Sequence, residues 1–174
     1  VLDRATAVCP SVRAVLGNCD PPEGETLLAE RGVALNNRLT TVTGLRMRGM
    51  SGSNRTPSHT LYEWDDDRRH QQLVCEGAEP PSAENSLDIL VTHAPPYGCG
   101  ADRLPDGTGV GSRAAAELVR RHGPSLVLCG HIHESTGIFE WRNTTVVNPG
   151  PWRHGRYAVI DWSGGAPAVR VCQQ

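Results

Sequence analysis

The stretch Leu126–His133 (LVLCGHIH) is the part of this 174-residue chain from which its fold and chemistry are best inferred. The first four residues are apolar and predict a short buried strand, which Gly130 ends. His131 and His133 follow where the strand enters a loop, and the glycine gives the backbone freedom to leave strand geometry there. Neutral imidazoles are ligands for zinc, iron, manganese, nickel and copper. By itself the pattern is equally compatible with two structural histidines.

Polar side chains follow two other predicted strands in the same way. Asn18 comes after the apolar segment Val12–Leu16, and His93 comes after Leu87–Val91. Because the carboxyl ends of strands in an open α/β sheet gather along one edge, we expect these two side chains to meet the histidine pair described above and form a metal site. An Asx-type turn with Asp20 is the alternative for Asn18.

The composition is that of a folded domain. The chain is 38% hydrophobic and 21% charged, with a net charge of -2 from 17 basic and 19 acidic residues, and it contains no lysine. Such a balance gives no indication of a nucleic-acid or anionic-membrane partner. The six cysteines form no CxxC pair, so we expect reduced thiols and a cytoplasmic location. No apolar run approaches the roughly 18 residues of a membrane span.

The order of the predicted elements is α/β units first and antiparallel strands last, which predicts an α/β fold with two sheets. Helices are expected at the first residues, at Gly24–Arg31, at Asp65–Cys75 and after an N-cap at Ser112, with Gly123 ending the last one. Further strands are expected at Thr40–Val42, Leu45–Met50, Ile138–Trp141, Thr144–Val147, Tyr157–Trp162 and Ala168–Val171. A linker containing Pro, Ser and Glu is expected at Ala78–Asn85.

Four segments resemble the last three metal motifs, and the turn that follows them, of calcineurin-like metallophosphoesterases. They are Gly17–Asp20 (GNCD), Thr92–Gly98 (THAPPYG), Cys129–Ser135 (CGHIHES) and Val147–Gly150 (VNPG). The nearest branch is the prokaryotic one with Cys in this Gly-Asn motif, and residues 52–57 also resemble it. The resemblance covers nearly the whole chain and implies one domain, residues 1–174, with a two-sheet sandwich flanked by helices (αββα).

The resemblance also implies ligands and an activity. It makes Asn18, His93 and His131 ligands of one divalent ion and His133 a ligand of a second. In that family two ions of manganese, iron, zinc or nickel activate a hydroxide that hydrolyses a phosphomonoester or phosphodiester. The implied partner is a phosphate ester, with no membrane and with nucleic acid only as a substrate.

The family's Asp-x-His and Gly-Asp motifs, which supply its other ligands, are not present before Asn18. We therefore expect the domain to be N-terminally incomplete in this chain and its reading frame to encode both motifs upstream of Val1. Without those carboxylates, we expect the 174-residue chain to bind at most one ion and to be inactive. An uncovered sheet edge at Val12–Leu16 also predicts self-association.

Cys19 stands where many relatives have a histidine thought to contact the phosphate or protonate the leaving group. Since a thiol with a pKa near about 8.5 is a poor proton donor, this position favours substrates with good leaving groups. The alternative for Cys19 is a small residue that fills the turn. The alternative for the whole protein is a non-catalytic interaction scaffold with the same fold.

Overall fold

The computed structural model of the protein describes residues 2–75, 86–163 and 165–174, so the linker predicted at Ala78–Asn85 lies outside the described residues. Within them, the helices are α1 (Leu2–Val8), α2 (Gly24–Glu30), α3 (Asp66–Cys75) and α4 (Arg113–His122), with a short 3₁₀ turn at Trp152–His154. The strands are β1 (Leu39–Val42), β2 (Leu45–Met50), β3 (Ser53–Asn54), β4 (Glu63–Trp64), β5 (Ile89–Thr92), β6 (Leu126–Leu128), β7 (Gly137–Trp141), β8 (Thr144–Asn148), β9 (Arg156–Asp161) and β10 (Ala168–Gln173). None of the described helices is long and apolar enough to span a bilayer.

A six-stranded mixed sheet with the order β1-β2-β5-β6-β8-β7 carries the site. Its four inner strands are parallel to one another, and the edge strands β1 and β7 are antiparallel to their neighbours. The strands β9 and β10 form a separate antiparallel hairpin. The predicted α/β class is therefore confirmed. Besides these two sheets, β3 and β4 form a short parallel pair, and β7 and β8 join the main sheet and do not form one meander with the last two strands.

Successive side chains of the inner strands point to opposite faces of the sheet, so the core consists of two layers. On one face, Leu90, Val127 and Val146 pack with Leu118 of α4. On the other face, Ile89, Leu126 and Val147 pack against the apolar side of the β9–β10 hairpin. Because both faces are covered, the inner strands read as nearly continuous apolar runs in the sequence.

The helix α4 shows the capping that the sequence predicts. The Ser112 side chain accepts a hydrogen bond from the Ala115 amide at 3.0 Å, and Gly123 ends the helix in the left-handed conformation with φ 53°. The helix α1 is also present, but it buries none of its residues, and Val8 is 85% exposed. The spacing of apolar residues therefore predicted the position of α1 correctly, but these residues do not form a buried face.

The strand predicted at Val12–Leu16 is wrong as a regular strand. The segment makes one parallel bridge, between Ala14 and Ala34. Two residues later the Leu16 amide donates to the Ser51 hydroxyl at 2.9 Å, so the segment changes its partner too soon for a ladder to form.

The carboxylate of Glu117 in α4 provides a pH-dependent contribution to stability. It is 7% exposed and accepts hydrogen bonds from Arg120 at 2.6 and 2.8 Å and from Arg121 at 2.6 Å. The hydrogen bond from Arg120 lowers the pKa of Glu117, burial opposes it, and Arg121 adds to the lowering, which leaves the pKa at about 2. The unfolded chain therefore takes up this proton at a higher pH than the folded protein does.

We expect the free energy of unfolding to fall as the pH drops from 4.5 towards 2, because only the ionised carboxylate holds both arginines. Glu117→Gln is expected to remove about 2 kcal/mol at neutral pH and to flatten this slope. Urea unfolding at a series of pH values measures both effects. The control is Glu30→Gln on the exposed end of α2, and equal pH slopes for the two variants would contradict the assignment.

Candidate metal centre

Three side chains predicted to meet do so at the carboxyl edge of the main sheet. His93 directly follows β5, His131 lies three residues after β6, and Asn18 lies in the turn after the Val12–Leu16 segment. The Nε2 atom of His93 lies 2.8 Å from Oδ1 of Asn18 and 3.2 Å from Nδ1 of His131. The two rings meet edge to face, with their centroids 4.9 Å apart. Parallel strands thus bring together donors that are far apart in the sequence.

The Asn18 side chain is 8% exposed and uses both ends of its amide. Its Oδ1 atom faces His93, and its Nδ2 atom donates to the Thr60 hydroxyl at 2.7 Å. Gly17 lets the turn approach the imidazole, since a Cβ atom there would lie 3.0 Å from Cε1 of His93. The side chain that fixes the nearby turn is that of Asp20, whose carboxylate accepts from the Gly17 amide at 2.7 Å.

The strand β6 ends at Leu128, before Gly130, and the left-handed residue of the histidine loop is His131, which has φ 67°. The side chain of Asn148 stabilises the loop: its Nδ2 atom donates hydrogen bonds to the carbonyl oxygens of Ile132 at 2.7 Å and Ser135 at 2.9 Å. This asparagine begins the Asn148-Pro149-Gly150 turn. The turn therefore fixes the backbone that carries both histidines.

His133 and Cys19 line the same cleft but lie outside the contacts that join the side chains of Asn18, His93 and His131. His133 is exposed, and its Nδ1 atom lies 3.3 Å from Nη2 of Arg153. Cys19 is exposed on the cleft wall. The structure thus brings all the predicted residues to one cleft, of about 580 Å³, but joins only Asn18, His93 and His131 directly.

Burial and neighbouring charges keep the imidazoles of His93 and His131 neutral. Burial and the neighbouring His131 lower the pKa of His93 to about 4, despite the opposing effect of Asp20. Burial also lowers the pKa of His131, and His133 adds to the lowering. A neutral imidazole retains the lone pair that a metal ion or a proton donor requires.

The donor set fits one divalent transition ion in kind and spacing. Two atoms that each lie about 2.1 Å from a shared ion are about 3.0 to 3.4 Å apart, close to the spacings between the three side chains. A proton on Nε2 of His93 can serve only one of the two acceptor atoms beside it, Oδ1 of Asn18 or Nδ1 of His131, so a lone pair is left that suits a cation. Across residues 2–75, 86–163 and 165–174, however, no group of three or more His, Cys, Asp and Glu side chains is arranged to hold a metal ion.

Several side chains of the cleft were missed by the sequence reasoning. Arg55 and Arg153 line it, and Thr60 contacts Asn18 directly. Arg55 and Thr60 lie in loops and Arg153 lies in the short 3₁₀ turn, so none of the three belongs to a periodic apolar pattern. A signal was available for Asn54 and Arg55, since both lie within residues 52–57, a segment that resembles the family.

Comparison with known proteins supports the resemblance. Residues 82–166 match the family described as metallophosphoesterase, calcineurin superfamily. The uncharacterized protein MJ1162 of Methanocaldococcus jannaschii is 32% identical over 145 residues, which cover 80% of this chain and 64% of that protein. The UPF0046 protein K07C11.7 of Caenorhabditis elegans is 31% identical over 139 residues, which cover 74% of this chain and 46% of that protein. The chain thus spans between about half and two thirds of these relatives.

Solved structures share the fold. One crystal structure superposes with a TM-score of 0.70 at 22% identity, covering 94% of this chain and 65% of its own. The crystal structure of TT1561 of Thermus thermophilus superposes with a TM-score of 0.50 at 19% identity, covering 84% of this chain and 61% of its own. Residues 82–166 are thus similar to the calcineurin superfamily of metallophosphoesterases, and the chain shares its fold with these solved structures.

Proposed function

We propose that the protein is a metal-dependent phosphoesterase of the branch with Cys in the Gly-Asn motif. The observation that carries this proposal is the convergence of Asn18, His93 and His131, with donor atoms 2.8 and 3.2 Å apart. The match of residues 82–166 to the calcineurin superfamily of metallophosphoesterases supports a phosphoesterase-type function and the use of divalent metals. The geometry supports one ion at this point of the cleft.

Asn18, His93 and His131 would hold that ion, and His133 would contribute to a second. Bound divalent metal supplies a polarised phosphate and a water of lowered pKa. The three inner donors carry no charge, so we propose that the carboxylates of the Asp-x-His and Gly-Asp motifs complete the site in a longer chain. The ion itself is proposed to be manganese, iron, zinc or nickel.

The chain's own cations are suited to hold the substrate. Arg55 and Arg153 line the cleft, and a guanidinium matches two phosphate oxygens at once. Cys19 supplies only a weak acid at the position we propose for proton donation. We therefore propose a preference for phosphodiesters and aryl esters, whose leaving groups need little protonation.

The test is hydrolysis of bis(p-nitrophenyl) phosphate by the 174-residue chain and by the product of the reading frame extended upstream. With added Mn²⁺ the longer protein is expected to turn over and the shorter one to bind at most one ion without measurable turnover. A chelator is expected to abolish the activity, because the cation and not a side chain activates the water. Activity that survives chelation would overturn the proposal.

A non-catalytic scaffold with the same fold is the second candidate. One observation favours it: the nearest cleft carboxylate, Asp20, is engaged with the Gly17 amide at 2.7 Å, and the inner donor set is neutral. The extended protein separates the two candidates. A longer product that binds no divalent ion and hydrolyses neither a monoester nor a diester would favour the scaffold.

A further inference from the structure

A hydrogen-bond relay reaches Asn18 from outside the predicted site. Glu63 in β4 accepts from the hydroxyl of Thr60 at 2.6 Å and from its amide at 2.9 Å. The same Thr60 hydroxyl accepts from Nδ2 of Asn18 at 2.7 Å. Glu63 also accepts from the hydroxyl of Thr56 at 2.6 Å and from its amide at 3.2 Å. The carboxylate therefore fixes the loop that covers the asparagine.

The direction of each hydrogen bond in the relay follows from the charge of Glu63. Burial works to raise its pKa, but the hydrogen bonds from Thr56 and Thr60 outweigh burial and hold the pKa at about 2. The ionised carboxylate can only accept, so the single hydroxyl proton of Thr60 points towards Glu63. Towards Asn18 the Thr60 hydroxyl can therefore only accept a hydrogen bond.

Because the Thr60 hydroxyl donates its proton to Glu63, it determines which way the side-chain amide of Asn18 faces. Its NH₂ group must point to Thr60, and so its carbonyl oxygen must point to Nε2 of His93, which lies 2.8 Å away. With the amide reversed, two acceptors would meet at Thr60 and the NH₂ group would occupy the ligand position. An amide N–H cannot donate a lone pair to a cation, so the reversed amide would remove one ligand.

We propose that Glu63, acting through the Thr60 hydroxyl, is the positioning residue that aims the carbonyl oxygen of Asn18 into the metal centre and thereby sets its affinity for a divalent ion. This inference rests on the proposed function, because it assigns a role towards the ion that Asn18 would hold. It adds to the site Thr60, from the loop before β4, and Glu63, from β4 itself, and neither residue carries a metal-motif signal in the sequence.

The test combines one metal-free and one metal-binding measurement on the same variants. In the metal-free protein, ¹⁵N NMR of the His93 imidazole is expected to show the proton on Nε2, since Asn18 Oδ1 can only accept. Thr60→Val removes the hydroxyl at nearly constant volume and is expected to shift this tautomer towards Nδ1–H. Titration with Co²⁺ is expected to show an affinity about 10- to 100-fold weaker for Thr60→Val than for the unmodified chain, the usual effect of losing a group that orients a ligand.

Two matched variants separate positioning from stability. Thr60→Ser keeps the hydroxyl and is expected to restore both measurements. Thr56→Val removes a hydrogen bond of the same 2.6 Å length to the same carboxylate without touching Asn18, so it should change Co²⁺ affinity less than about twofold while losing similar thermal stability. Glu63→Gln provides a second route to the same result if the valine variant is unfolded, because a carboxamide no longer forces the hydroxyl proton in one direction.

Each outcome decides one of the two proposals. A Thr60→Val protein with an unchanged tautomer and unchanged Co²⁺ affinity overturns the positioning role. An unmodified chain that binds no Co²⁺ overturns ion binding by these three donors alone, and with it the effect on affinity, whereas the tautomer measurement still decides whether the relay orients Asn18. Equal losses of Co²⁺ affinity in Thr56→Val and Thr60→Val would show a general effect of the loop and overturn the assignment to the hydroxyl.

Discussion

His93→Ala is expected to lower the metal-dependent hydrolysis of bis(p-nitrophenyl) phosphate by at least about 100-fold, since losing a group that merely orients a metal ligand already costs about 10- to 100-fold. His93 is the side chain that contacts both other members of the centre, Asn18 at 2.8 Å and His131 at 3.2 Å. Its removal takes away one donor and leaves the other two without a common neighbour. The measurement is kcat/KM of the extended protein at saturating Mn²⁺, with His131→Ala expected to behave alike.

A matched control is His70→Ala, because His70 lies on α3 outside the cleft and is 40% exposed. Both variants lose an imidazole, and thermal unfolding of each variant shows whether a loss of activity reflects a loss of fold. We expect His70→Ala to keep its activity within about twofold, because the charged group that His70 faces, Glu117 at 3.8 Å, lies on α4 outside the cleft. A His93→Ala protein that retained half of the original kcat/KM would contradict the proposed role of the centre.

The part of the site that follows from strand order could be predicted from the sequence. His93 and His131 each follow an apolar run, and parallel strands place their carboxyl ends together regardless of separation along the chain. The cap at Ser112 and the left-handed Gly123 could be predicted for a similar reason, because each depends on the chemistry of one residue in its own turn. Local rules and sheet geometry were sufficient for these features.

The remaining features depend on contacts between distant loops, which local rules do not encode. Glu63 and Thr60 reach Asn18 only because the backbone of Tyr62 pairs with that turn, its amide donating to the Asn18 carbonyl at 2.8 Å. The left-handed backbone of His131 is imposed by the hydrogen bonds of Asn148 and not by residue type. The Val12–Leu16 segment was mistaken for a strand because apolar composition predicts burial and does not reveal a change of hydrogen-bond partner.

The side chain of Asp102 holds the loop between β5 and α4 in place. It is fully buried and accepts from the amides of Gly98 at 2.7 Å and Gly100 at 3.2 Å. Both glycines have left-handed backbones, with φ 80° and 92°, which open their amides towards the carboxylate. The same loop supplies Leu104 and Val110 to the wall of the cleft. The packing of this loop is thus coupled to the shape of the site.

Asp102→Ala is expected to lower the free energy of unfolding by about 2 to 3 kcal/mol, because it removes a fully buried carboxylate that accepts two amide hydrogen bonds, and hydrogen bonds to charged groups contribute roughly 1.5 to 3 kcal/mol. Asp106→Ala is the matched control: the same substitution in the same loop removes an exposed carboxylate that accepts from Thr108 at 2.8 Å, and it should cost about 1 kcal/mol or less. Urea unfolding measures both variants, and limited proteolysis within residues 97–111 reports whether the loop opens before the rest of the protein unfolds. We expect faster cleavage there in Asp102→Ala alone, since Leu104 and Val110 lose their support. Equal stabilities for the two variants would mean that the buried carboxylate does not hold the loop, and the wall of the cleft would then depend on its apolar contacts.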